Sequence, residues 1–148
     1  MKNISVKPDI NIRQAMKTLS QSGEKCLVVI DEKKALLGTL SDGDIRKAIL
    51  KGTHVGNSIR DIYNQKPTVF VKGKYSIENA KNVFTQNKFD LIPLVDEKGK
   101  LVDILFWETV FKNGNNRQNE KIDVPVVIMA GGKGTRLGLF TKILPKPL

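Results

Sequence analysis

The sequence has one cysteine, one histidine and few aromatic residues, and these scarcities exclude several kinds of site. A single cysteine cannot form an intrachain disulfide. Cys26 and His54 together are too few to supply the nitrogen and sulfur ligands of a zinc site. Cys26 begins an apolar run, which favours a buried, unreactive thiol over a reactive thiol of low pKa. We therefore predict no metal site in this chain.

Long apolar runs are also absent. No stretch approaches the roughly 20 apolar residues that span a bilayer. The N-terminal residues become charged and polar too early to form the apolar core of a signal peptide. We therefore expect a cytoplasmic protein with no membrane partner.

The formal net charge of +10 would suit a nucleic-acid-binding protein, but its distribution does not. Residues 1–112 carry 19 basic and 13 acidic side chains, and residues 113–148 carry six and two, so the excess is spread along the chain. The aromatic residues do not alternate with the basic ones, as stacking on single strands requires. The pattern favours a basic surface that attracts small phosphate ligands, and no nucleic-acid partner is expected.

An internal repeat organises the first three quarters of the chain. Shifted by 65 residues, Asn11–Ile45 aligns with Ser76–Val110 without a gap, and the apolar positions coincide. In both copies, apolar residues at helical spacing precede a short apolar run, a charged turn and a second apolar run. The repeat predicts a β-α-β-β-α unit in residues 1–57 and again in residues 58–112. Each unit has a sheet face that it cannot cover alone, so we expect the two to pack as one pseudo-twofold unit.

Two strings in the second half of the repeat region carry a family resemblance. Leu91–Asp96 reads Leu-Ile-Pro-Leu-Val-Asp and is followed by Gly-Lys-Leu-Val at Gly99–Val102, while Ser58–Tyr63 is typical of a connector between copies. The doubled pattern resembles a CBS domain pair, or Bateman-type module, of α+β fold. The resemblance implies a cleft between the copies that binds adenosine nucleotides or related ligands, and association into a homodimer. The string Ser41–Ile49 is most similar to CBS pairs attached to bacterial sugar-phosphate isomerases.

The segment Gly38–Asp44 resembles the ribose-binding motif of that family, which makes Thr39, Ser41 and Asp44 the implied nucleotide-binding residues. One carboxylate can accept hydrogen bonds from two adjacent ribose hydroxyls, and a serine at a helix N-terminus can donate to a phosphate or ribose oxygen. A second interpretation stays open, because Ser41 followed three residues later by Asp44 is also a helix-capping pattern. In the second copy Phe106 and Thr109 occupy the two positions, so we expect one nucleotide site per chain.

The C-terminal residues differ from the repeats. Residues 113–123 are polar and have the composition of a linker. Val124–Ala130 has the pattern of a buried strand and leads into a glycine-rich loop. A Walker A loop requires Ser or Thr after its lysine, whereas Gly134 follows Lys133, and the glycine spacing also differs from the dinucleotide-binding fingerprint.

The loop instead resembles the opening of the sugar-1-phosphate nucleotidylyltransferases, on the strength of Ala130–Leu137, Thr141 and Pro145–Leu148. The proline that this family often carries after Arg-Leu is missing. The resemblance implies attack of a sugar-1-phosphate oxygen on the α-phosphorus of a nucleoside triphosphate, with release of pyrophosphate. The loop residues Gly131, Gly132, Gly134 and Thr135 would contact the nucleotide, and Arg136 and Lys146 would be the catalytic cations.

Mg²⁺ is the cofactor implied for the full-length enzyme, with its ligand beyond residue 148. Residues 124–148 are accordingly expected to be the truncated start of a Rossmann-like α/β domain. The 148-residue chain alone is expected to need no cofactor and to transfer no nucleotidyl group.

The sequence therefore predicts a nucleotide-sensing CBS pair that regulates a sugar-phosphate nucleotidyltransferase. The alternative is a CBS pair that binds no ligand and acts only as a structural or dimerisation module.

Overall fold

The computed structural model of the protein describes residues 4–112, which contain both copies of the repeat. The predicted linker and the predicted start of a nucleotidyltransferase domain, residues 113–148, lie outside the described residues. Of the predicted site residues, Gly131, Gly132, Gly134, Thr135, Arg136 and Lys146 therefore have no structural test here.

Each repeat consists of a three-stranded sheet and two helices. The first contains β1 (Ser5–Val6), α1 (Ile12–Ser22), β2 (Cys26–Ile30), β3 (Leu36–Ser41) and α2 (Asp42–Leu50). The second contains β4 (Phe70–Val71), α3 (Ile77–Asn87), β5 (Leu91–Val95), β6 (Leu101–Phe106) and α4 (Trp107–Lys112). In both sheets the central strand runs parallel to the first strand and antiparallel to the third. The predicted β-α-β-β-α order is confirmed twice.

The first helix of each repeat begins where the sequence predicts. The Asn11 side chain accepts a hydrogen bond from the Gln14 backbone N–H (2.8 Å), and the Gln14 side chain accepts one from the Asn11 N–H (2.9 Å). Ser76 caps α3 in the same way, by accepting from the Asn79 N–H (3.0 Å). These caps satisfy N–H groups that have no partner within a helix. The apolar stripe of α1 is buried against the sheet, through Ile12, Ala15 and Leu19.

A symmetric pair of backbone hydrogen bonds joins the two repeats. The Leu36 N–H donates to the Gly99 carbonyl (3.0 Å), and the Leu101 N–H donates to the Lys34 carbonyl (2.9 Å). The 65-residue shift of the sequence repeat relates the two bonds to each other. The main core cluster of the first repeat also takes in Leu91 of the second, with Ile104 and Phe106 partly buried against it. The predicted pseudo-twofold unit with a shared core is confirmed.

The connector between the repeats, residues 51–69, is attached to the first sheet. Asn64 and Thr39 exchange backbone hydrogen bonds, with N-to-O distances of 2.8 and 3.0 Å. The connector passes so close to β3 that a Cβ at Gly38 would overlap the Asn64 carbonyl and lie 2.6 Å from the Tyr63 ring. A glycine is therefore required at the first position of the predicted site motif.

Lys34 adopts a left-handed backbone conformation (φ 63°), and its counterpart in the second repeat is Gly99 (φ 76°). A left-handed conformation costs a residue with a Cβ about 1–2 kcal/mol, part of which a glycine gives back through its greater freedom in the unfolded chain. We expect Lys34→Gly to raise the free energy of unfolding by up to about 1 kcal/mol. Urea melts would measure the change, and a lower stability than wild type would contradict the assignment of strain to this turn.

Candidate functional site

A cleft of about 310 Å³ lies between the two repeats and contains all three predicted binding residues of the first copy. Thr39 and Ser41 come from the end of β3, and Asp44 comes from the first turn of α2. The connector and the second repeat supply most of the opposite wall. The remaining lining residues are Cys26, Asn64, Pro67, Thr68, Lys88, Phe89, Asp90, Leu91 and Pro93.

Asp44 and Ser41 form a complete capping box at the start of α2. Asp44 Oδ2 accepts hydrogen bonds from the Ser41 backbone N–H (2.9 Å) and the Ser41 hydroxyl (2.6 Å), and Ser41 Oγ accepts one from the Asp44 N–H (3.1 Å). The capping interpretation of this pair is confirmed. Within residues 4–112, Asp44 Oδ1 makes no hydrogen bond. The two roles considered for Asp44, capping and ligand binding, therefore use different oxygens of its carboxylate.

The capping box limits what Ser41 can do. Its hydroxyl proton is already directed at Asp44 Oδ2, so donation to a ligand oxygen would require that 2.6 Å bond to break. Its oxygen already accepts a hydrogen bond from the Asp44 N–H. Ligand binding by Ser41, which the resemblance implies, stays a prediction, and donation to a ligand would require the loss of its hydrogen bond to Asp44 Oδ2.

Cys26 lines the cleft and is partly buried. Burial raises the pKa of the Cys26 thiol to about 12, with smaller contributions in the same direction from Asp44 and Asp90, opposed by a backbone hydrogen bond at Leu40. A thiol of this pKa is protonated at neutral pH and is a poor nucleophile. The raised pKa agrees with the predicted unreactive thiol, and Cys26 is only partly buried because it lines the cleft.

The second wall of the cleft was not identified from the sequence. Lys88, Phe89 and Asp90 immediately precede β5, and a salt bridge of 3.8 Å joins Asp90 to Lys25. Lys88 follows α3 in a left-handed conformation, at the position equivalent to Gly23 of the first repeat. The aligned copies show this difference, lysine in place of glycine, and it is a sequence signal that could have identified this wall.

In the second repeat, Phe106 and Thr109 occupy the positions equivalent to Ser41 and Asp44. Phe106 packs against the shared core, and Trp107 beside it stacks on Phe111 with ring centroids 4.1 Å apart. Thr109 is exposed and offers no carboxylate. The second copy thus places apolar packing where the first copy places polar groups.

Residues 4–112 contain no group of three or more His, Cys, Asp or Glu side chains arranged to hold a metal ion. None of the helices in this range has the length and apolar character that crossing a membrane requires.

The family comparison identifies the fold. The CBS domain profile matches residues 1–51 and 59–113, more than two thirds of the chain, and the chain therefore belongs to the CBS domain family. The two matched segments correspond to the two repeats described above.

Curated relatives match only through this pair. An arabinose 5-phosphate isomerase, GutQ of Escherichia coli, is 25% identical over 104 residues, which are 70% of this chain and 32% of the isomerase. A Helicobacter pylori protein is 26% identical over 109 residues, 74% of this chain and 33% of that protein. The chain spans about a third of the length of these curated relatives. A sugar-phosphate isomerase is thus among the relatives that match through this pair, in line with the resemblance of Ser41–Ile49.

Solved structures confirm the predicted tandem fold. The structure of CBSX2, a CBS-pair protein of Arabidopsis thaliana, in complex with AMP superposes with a TM-score of 0.65 and 29% identity, covering 76% of this chain and 87% of that one. A CBS domain pair solved with 5-methylthioadenosine and S-adenosyl-L-methionine gives a TM-score of 0.64 at 21% identity, covering 75% and 90%.

Proposed function

We propose that residues 4–112 form a nucleotide-sensing regulatory module that binds an adenosine nucleotide, or a closely related adenosine ligand, in the cleft between the repeats. The observation that carries the proposal is the position of Asp44 on the cleft wall with Oδ1 free of hydrogen bonds from the described residues. A carboxylate oxygen with open lone pairs is the acceptor that a ribose diol needs. The AMP complex of CBSX2, at 29% identity, supports adenosine as the nucleoside.

The size and composition of the cleft support the same ligand class. Its volume of about 310 Å³ is at the lower end of the roughly 300–1,000 Å³ typical of small-molecule sites. Pro67, Phe89 and Pro93 give it apolar surface suited to a base, while Thr39 and Asn64 add polar groups. A mostly apolar pocket with a few placed polar groups is the usual design of such sites.

The cleft walls provide a route for regulation. They come from β3 of the first repeat, from the connector and from the residues before β5 of the second repeat. A ligand that contacts all three favours the arrangement in which they are correctly spaced. A domain or subunit that packs on either repeat would then respond to whether the ligand is bound.

For the whole protein, we propose that the regulated activity is nucleotidyl transfer to a sugar 1-phosphate. The support is the pair of motifs in residues 130–148, where Arg136 and Lys146 would neutralise phosphate charge. Mg²⁺, when bound, would supply further positive charge for phosphoryl transfer. Pyrophosphate release from a nucleoside triphosphate and a sugar 1-phosphate, by protein that includes the whole catalytic domain, would test this. No release with any of the common triphosphates would count against it.

A ligand-free structural module is the second candidate, and the complete capping box favours it, because the box gives Ser41 and Asp44 a purely structural use. A thermal-shift screen against AMP, ATP, GTP and CMP separates the two candidates. The nucleotide-sensing proposal expects a rise in melting temperature with at least one adenosine nucleotide. If the repeats form only a structural module, none of these nucleotides should raise the melting temperature.

Both candidates are compatible with a homodimer, which we also propose. The helices carry exposed apolar side chains, of which Leu50 is 81% exposed and Met16 is 43% exposed. A second copy that covered them would remove apolar surface from water. Light scattering should report about twice the 16.5 kDa of one chain. If the exposed apolar side chains of the helices form the interface, Leu50→Glu should lower the measured mass toward that of one chain.

A further inference from the structure

Lys88 has a backbone conformation that its residue type disfavours. It ends α3 with φ 54° and ψ 39°, in the left-handed region, where the first repeat has Gly23 at φ 70°. Glycine is the usual residue at this helix-ending position, because a Cβ clashes with the following carbonyl. Residues in such conformations cluster at ligand sites, but Lys34 shares the conformation away from the cleft, so a functional reason for Lys88 has to come from its location.

Its location gives such a reason. Lys88 is the only basic residue among the described residues that line the cleft, whose acidic members are Asp44 and Asp90. Asp90 is paired with Lys25 at 3.8 Å, whereas none of the ion pairs within residues 4–112 involves Lys88. The cleft therefore has one lysine that forms no ion pair with a carboxylate of the described chain, on the wall contributed by the second repeat.

We infer that Lys88 recognises the phosphate of the ligand, so that the cleft discriminates nucleotides from the corresponding nucleosides. This inference rests on the proposed function, since it takes Asp44 as the ribose acceptor. A 5′-phosphate attached to a ribose at Asp44 is negatively charged and needs a cationic partner, and Lys88 lines the same cleft as Asp44. A lysine ammonium supplies it as a point charge.

A neighbouring cavity offers a competing location for the phosphate. It has a volume of about 450 Å³, shares Asp44 with the cleft, and contains Lys47 and Lys51. Asp61 also lines it, so its two lysines face two carboxylates. The charges of the lining residues do not separate the two locations, since the cleft itself has two carboxylates and one lysine, so variants must decide between them. Lys47→Ala with Lys51→Ala therefore serves as the matched comparison.

The test compares AMP with adenosine on the 148-residue chain and on its Lys88→Gly variant, by titration calorimetry at low ionic strength. Wild type should bind AMP more tightly than adenosine. Lys88→Gly should weaken AMP binding about tenfold, in line with the loss of one charge-assisted hydrogen bond, and leave adenosine binding unchanged. The AMP preference of wild type should also shrink as salt is added.

The same variant controls for folding. Since glycine suits the left-handed conformation, the urea midpoint of Lys88→Gly should equal or exceed that of wild type. Lys34→Gly relieves the same strain away from the cleft lining and should bind AMP normally. Lys88→Asn, an uncharged residue that tolerates this conformation, repeats the test should glycine perturb the turn.

Three outcomes would overturn the inference while leaving the proposed function intact. In the first, wild type binds AMP and adenosine with equal affinity. In the second, Lys88→Gly weakens the binding of both ligands to the same extent. In the third, the Lys47→Ala and Lys51→Ala changes weaken AMP binding and Lys88→Gly does not. Wild-type protein that binds neither AMP nor adenosine would remove this inference, and a melting temperature that ATP also fails to raise would remove the proposed function with it.

Discussion

Asp44→Ala is expected to weaken the binding of AMP by about tenfold to a few hundredfold. The ribose diol would lose an ionised acceptor, and hydrogen bonds to charged groups contribute about 1.5–3 kcal/mol each. Equilibrium dialysis with labelled AMP would measure the loss. The 2′-deoxy analogue should bind wild type more weakly than AMP, and the variant should discriminate less between the two, because both changes remove the same contact.

The capping role of Asp44 requires a control for stability. Asp44 Oδ2 caps α2, so Asp44→Ala should also lower the free energy of unfolding, by about 1 kcal/mol. Asp44→Asn keeps a side-chain oxygen for the Ser41 N–H while removing the charge, and should lose affinity with less loss of stability. Thr109→Ala, at the equivalent position of the second repeat, should leave binding unchanged. A purely structural Asp44 would instead destabilise the fold when replaced and would leave any AMP affinity as it was.

Gly38→Ala is expected to be the most damaging single-methyl change in the first repeat. The new Cβ would overlap the Asn64 carbonyl and lie 2.6 and 2.9 Å from two carbons of the Tyr63 ring. The connector would have to move away from β3, breaking the paired hydrogen bonds between Thr39 and Asn64. Overpacking of this kind costs about 1–3 kcal/mol. Because Thr39, Asn64 and Pro67 all line the cleft, AMP affinity should fall as well.

Gly43→Ala is the matched control for that change. It lies in the first turn of α2, and its added Cβ would meet only Ser41 Oγ at 3.5 Å, an ordinary contact. Alanine is the better helix former by about 0.8–1 kcal/mol in helix interiors and by less in a first turn, so this variant should be neutral or slightly stabilised. Urea melts of both variants would decide the point. Equal stability for Gly38→Ala and Gly43→Ala would show that the close approach of the connector is not a constraint.

The fold could be predicted because the same signals occur twice. Caps at Asn11 and Ser76, the same order of helical and strand patterns, and charged turns after Ile30 and Val95 fall in register at a shift of 65 residues. The structure extends this agreement to details that no pattern predicts, such as the irregular pairing at Val29/Ile30 and again at Leu94/Val95. Local signals sufficed because each element is short and has its own cap, apolar pattern or turn in the sequence.

The site could be predicted only where it is continuous in sequence. Thr39, Ser41 and Asp44 lie within six residues and carry their own motif, so the first wall was found. The second wall depends on which residues the pseudo-twofold packing places opposite Asp44, and Lys88 and Asp90 have no motif of their own. Asn64 was missed for a related reason, since its place beside Thr39 follows from the path of the connector over Gly38.

The binding stoichiometry of AMP tests the central claim most directly. Titration calorimetry of the wild-type 148-residue chain should give a saturable isotherm with one AMP per chain, because the first repeat supplies Asp44 and the second has Thr109 in its place. Two AMP per chain would contradict the assignment of a single competent cleft. No binding of AMP, with a melting temperature that neither AMP nor ATP raises, would contradict the nucleotide-sensing function itself.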